Sequence, residues 1–131
     1  MHHFILPSQD TWISSGSSII TGESFKDQNF GKDQILEVKK FFYNEEFHHQ
    51  SRALVQFSGT DFTNMSQSIV EGNITNPQFF LKLFEIKGNE KLSDSYTLHI
   101  QPISQSWTEG TGKAGDNPKN ILGCSWENRN N

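Results

Sequence analysis

The sequence predicts an all-β fold, a jelly-roll-like antiparallel β-sandwich in a single domain, and three observations carry that expectation. Short stretches of alternating apolar and polar residues, roughly seven to eight of them, recur between Gly, Pro, Asn and Ser punctuation. Helical periodicity is almost absent. The chain of 131 residues is only 33% apolar, yet it holds 11 Phe, three Trp and two Tyr, whose large buried areas let a core close with few aliphatic residues. A mean hydropathy of -0.63 fits a small module better than an enzyme with a deep active site.

Taken in order, residues 2–6 are a short apolar run stopped by Pro7, and residues 1–8 read as an edge strand or docking arm. Residues 10–15, DTWISS, read as a strand that turns out through Gly16. The polar segment 21–33 reads as an ordered loop anchored by Phe25 and Phe30. Residues 34–42 resume a strand, and 44–51, NEEFHHQS, read as a loop. In residues 52–57 Ala53, Val55 and Phe57 share one face, the pattern of a strand.

Residues 65–70, following Asn64 as a cap, suggest a single helical turn. Residues 78–86, QFFLKLFEI, are apolar on both faces, with Phe79, Leu81 and Leu83 opposite Phe80, Phe84 and Ile86. That pattern predicts a strand in mid-sheet or at an interface. Tyr96, Leu98 and Ile100 alternate with Thr97, His99 and Gln101, as in a half-buried strand. Pro102 ends it, and Trp107 heads a Gly-rich run, TEGTGKAGDNP, that reads as a long ordered loop. Residues 121–126 supply the last expected strand.

Composition excludes several functions. Net charge is -4, from 11 basic and 15 acidic residues without a basic cluster, so nucleic-acid binding is disfavoured. No apolar run approaches the ~20 residues of a membrane span. The start MHHFILPSQD lacks the basic, apolar and small-residue pattern of an export signal, and a single cysteine excludes an intrachain disulfide framework. The expectation is a soluble domain made in a cytosol. The sequons at Asn64 and Asn73 carry little weight without a signal.

No catalytic constellation is visible, and no enzymatic activity is expected. There is no G-x-S-x-G elbow, and Cys124 sits in a strand pattern where buried cysteine behaves as a small hydrophobe. The adjacent pairs His2–His3 and His48–His49 point to opposite faces of an extended chain, so no metal site is predicted. Ca²⁺ is the one cofactor with any basis, because Asp10, Asp27, Asp33, Glu109 and Asp116 all lie near turns, though without a contiguous calcium loop. Trp12, Trp107, Trp126 and Tyr96 suggest a sugar-stacking platform. Trp12 and Trp126 also fit the core, and Arg52 fits an ion-pair partner.

The segments DTWISSG, NFGKDQILEV, SRALVQFSGTDF and YTLHIQPISQSWTEGTGKAGDNPKN…GCSW occur in the order seen in DNRLRE-type β-sandwich domains. The chain resembles those domains from Gln9 to Trp126, and especially the version found in virion structural proteins of tailed bacteriophages. The resemblance implies a sandwich without catalytic activity, similar to carbohydrate-binding modules. Related domains continue past the G-x-S-W strand, which implies an open sheet edge here that a partner or neighbouring copy covers.

The resulting expectation is a virion protein of the tail, neck or capsid surface, made in the host cytoplasm. Its partners would be other virion proteins and further copies of itself in an oligomer, with Phe80, Phe84 and Ile86 on the interface strand. The alternative is a module for a host glycan, in which Trp107 stacks on sugar and Glu109, Asp116 and Asn117 hydrogen-bond its hydroxyls.

Overall fold

A computed structural model describes residues 3–86 and 95–130. Strand β1 (Pro7–Ser14), strand β2 (Lys39–Tyr43) and strand β3 (Glu46–Phe57) form one antiparallel sheet in the order β1-β3-β2, and helix α1 (Gly59–Val70) follows. The chain is thus β-rich, with strand outweighing helix. β1 runs along the C-terminal half of β3, from Ser14 opposite Ser51 to Pro7 opposite Phe57. β2 runs along the other edge but only beside the N-terminal half, from Tyr43 opposite Glu46 to Lys39 opposite Ser51.

The strands at 10–15 and 52–57 fall where alternation predicts them. The loop expected over 44–51 is instead a tight hairpin. Asn44 and Glu45 both take positive φ, 49° and 64°, the mirror-image turn whose twist matches that of the strands it joins. Aromatic pairs across the ladder reinforce it, with Phe41 stacked on His49 at 4.9 Å and Phe42 edge-on to Phe47 at 5.8 Å. The expected strand at 34–42 shortens to Lys39–Tyr43. An edge strand at residues 2–6 does not form in the described part of that run.

α1 is longer than the single expected turn. Ser58, extended at ψ 123°, precedes it, so Asn64 lies inside the helix rather than capping it. Thr63 and Ser68 turn their hydroxyls back onto the carbonyls of Gly59 and Asn64, which hides the helix from a propensity reading. Gly72 closes it in the left-handed region at φ 77°, donating to the Ile69 carbonyl. None of its residues is buried, and Phe62 meets Phe57 edge-on at 6.3 Å.

The largest departures concern residues 78–86, 95–103 and 121–126. None forms a strand among the described residues. The mid-sheet placement of 78–86 does not occur: Phe80, Phe84 and Ile86 are 83%, 77% and 69% exposed. A strand apolar on both faces needs cover on two sides, and the three-stranded sheet offers it neither. At 121–126 the backbone turns through Gly123, at φ 114°, instead of extending.

Candidate functional site

The core is small and lies at one end of the sheet. Phe30 is fully buried and stacks on Trp12 at 3.8 Å with the rings 17° apart, while Phe25 meets Phe30 edge-on at 5.9 Å. The two anchors expected in the 21–33 loop therefore do anchor it. The Trp12 indole N–H donates to the Asp33 carboxylate at 2.9 Å, which ties β1 to the end of the same loop.

Asn29, also fully buried, is the centre of the arrangement. Its amide nitrogen donates to the carbonyls of Glu109 (2.7 Å) and Cys124 (2.9 Å), and its oxygen accepts from the N–H groups of Gly31 (3.1 Å) and Gly112 (2.8 Å). The Asn29 backbone N–H donates to the Asn120 carbonyl at 2.8 Å. One carboxamide thus uses both donors and two acceptor positions to fix three segments distant in sequence. Glycines let the backbones come this close. A Cβ on Gly31 would run into the Glu109 carbonyl, and one on Gly110 would strike the Leu122 carbonyl and the Asn29 side chain.

Further contacts zip the 21–33 loop to the 107–120 loop. Lys32 N–H donates to the Gly112 carbonyl at 2.8 Å, and the Gln28 side chain donates to the Lys113 carbonyl at 3.0 Å. Lys119 pairs with Asp27 at 2.7 Å, and this hydrogen bond holds the Asp27 carboxyl below its ordinary value. The polar groups of the two ordered loops are thus spent largely on each other.

The proposed sugar site is not assembled. Trp107 is only 8% exposed, so its ring offers no face to a pyranose. The Glu109 carboxylate accepts from the Asp10 N–H of β1 at 3.1 Å and pairs with Lys32 at 3.5 Å. Asp116 accepts from the Lys113 N–H at 2.8 Å. Asn117 is exposed and precedes Pro118. Trp107→Ala is accordingly expected to lower stability by about 3–5 kcal/mol, the range for losing a buried aromatic ring, as read by urea unfolding. An unchanged unfolding midpoint would reopen the sugar reading.

The calcium expectation meets the same obstacle. Asp27, Asp33, Glu109 and Asp116 each serve a separate protein partner, and no group of three metal-ligating side chains converges among the described residues. Arg52, read as an ion-pair partner, places its guanidinium over the Trp126 ring at 4.9 Å. An open cleft of about 470 Å³ is lined by Trp12, Lys32, Asp33, Ile35, Glu37 and Lys113 among others, but the Trp12 face is already covered by Phe30.

Cys124 is buried, as its sequence setting suggests, and burial pushes its thiol up to about 11. It is therefore expected to resist thiol reagents at pH 8 in the native state and to react fully once unfolded. Rapid native labelling would contradict that placement.

The sequence singled out the N-F-G, E-G-T-G and G-C-S-W segments but not their meeting at Asn29. No protein-family model matches the chain, and no curated protein or solved structure matches it either. Among the described residues, no helix is long and apolar enough to cross a membrane.

Proposed function

We propose that this chain is a non-enzymatic structural module acting through protein–protein contacts, a component of a tailed-bacteriophage particle whose jelly-roll-like sandwich is completed on assembly. The observation that carries the contact reading is the exposure of two strand-patterned segments. Phe79, Phe80, Leu83, Phe84 and Ile86 in the first, and Tyr96, Ile100 and Ile103 in the second, are each at least half exposed. So many large apolar side chains left in solvent along two short segments favour an interaction site over a free surface.

The virion assignment rests on the sequence resemblance, and the convergence of its motif segments on Asn29 supports reading them as one unit. The glycan-binding alternative is weakened by the burial of Trp107. Immunogold labelling of intact particles with antibody to this chain tests the assignment. Regular decoration at one particle location is the expected result, and particles free of the chain would refute it.

A further inference from the structure

The chain exposes 10776 Å², whereas a compact folded monomer of 15.0 kDa exposes about 7,000 Å². The excess, on the order of 3,700 Å² per chain, is ample for an obligate dimer, which buries roughly 2,000–5,000 Å² in total. Residues 78–86, which have the length and pattern of a strand, are exposed throughout.

The sheet has a matching place for such a strand. The outer edge of β1 is engaged, since the Asp10 N–H donates to Glu109. The outer edge of β2 carries Lys39 and Lys40, whose ammonium groups lie over Phe41 and Phe42 at 5.5 and 5.1 Å, and edge lysines oppose strand addition. The third stretch of edge is different. β2 stops at Lys39 opposite Ser51, so residues 52–57 of β3 have β1 on one side and no strand on the other among the described residues. Ala53, Leu54, Val55 and Phe57 there are half-buried.

From this juxtaposition we infer that the partner is a second copy of the chain, and that residues 78–86 of each copy add as a strand beside residues 52–57 of the other. The inference rests on the contact reading above and names its partner. A second copy fits because every chain carries both the donor strand and the vacant edge, the requirement for a closed two-fold exchange. Strand addition gives the donor a backbone ladder, and its alternate side chains then cover both faces.

The test mixes two variants of the full chain that each add one cysteine, Gln56→Cys at the vacant edge and Lys82→Cys in the donor, under mild oxidation. The buried Cys124 stays silent at neutral pH. Light scattering on the unmodified chain runs in parallel, with an apolar dye reporting exposed surface. A mass of twice the chain, with disulfide-linked dimers abundant in the mixture and at least ~10-fold rarer in either variant alone, supports the exchange. Leu83→Pro, which removes a ladder donor from an exposed position, should return the chain to monomer with its Trp fluorescence unchanged.

A monomer that binds the dye overturns the exchange but leaves a different protein partner in place. A monomer that excludes the dye, and in which a Gln56→Cys/Lys82→Cys double variant closes on itself, overturns both the exchange and the contact reading.

Discussion

Asn29→Ala is expected to lower unfolding free energy by about 3–5 kcal/mol. The truncation strands two N–H groups, of Gly31 and Gly112, and two carbonyls, of Glu109 and Cys124, in a buried setting. Each orphaned group costs about 1–3 kcal/mol, reduced where water enters the space left behind. Asn29→Asp keeps the shape but turns the two donated hydrogen bonds into oxygen facing oxygen, so it is expected to be at least as damaging. Thermal unfolding followed by Trp fluorescence measures both variants. A midpoint within ~2 °C of the parent would remove Asn29 from the centre of the fold.

Gly110→Ala is the second large effect, expected to exceed about 3 kcal/mol. Two costs add: Gly110 sits at φ 81°, a region that side chains avoid, and a Cβ there would collide with the Leu122 carbonyl and the Asn29 carboxamide. Backbone cannot step aside without breaking the Asn29 bonds. Gly115→Ala is the matched control, because a Cβ at that position of the same loop meets nothing within 4 Å. Urea midpoints that shift equally in the two variants would show that loop composition, not the close approach, governs stability.

These two predictions mark where sequence reading stops. Strands β1 and the end of β3 are legible because Trp12 and Ala53, Val55 and Phe57 obey local alternation. The 44–45 turn is less so, since Glu45 at positive φ has no common turn signature, and its support comes from Phe41–His49 stacking across the ladder. Asn29 shows locally only as the first residue of an N-F-G turn. Its side-chain partners other than the Gly31 N–H are backbone groups 80 to 95 residues away, and a buried asparagine looks like any polar loop residue until the loops meet. The only advance signal is the crowding of Gly110, Gly112 and Gly123 in segments that would otherwise read as ordinary loops.

Trp107 shows the converse. A tryptophan at the head of a glycine-rich loop invites a ligand reading, but the loop folds back and its neighbour Glu109 closes the edge of β1. For residues 78–86 the apolar pattern predicts a strand that does not form, because a pattern apolar on both faces needs surfaces to cover it and the three-stranded sheet supplies none. Within one chain, β3 beside residues 52–57 remains without that strand.

The most direct test of the whole account is residue-resolved amide hydrogen exchange across a dilution series spanning monomer and assembled chain. The Gly31 and Gly112 amides, held by Asn29, should be as protected as the β1–β3 ladder at every concentration. The amides of residues 79–86 should exchange freely in dilute solution and gain protection together with those of residues 52–57 as copies associate. Strong protection of 79–86 in the dilute monomer, or free exchange at Gly112, would contradict it.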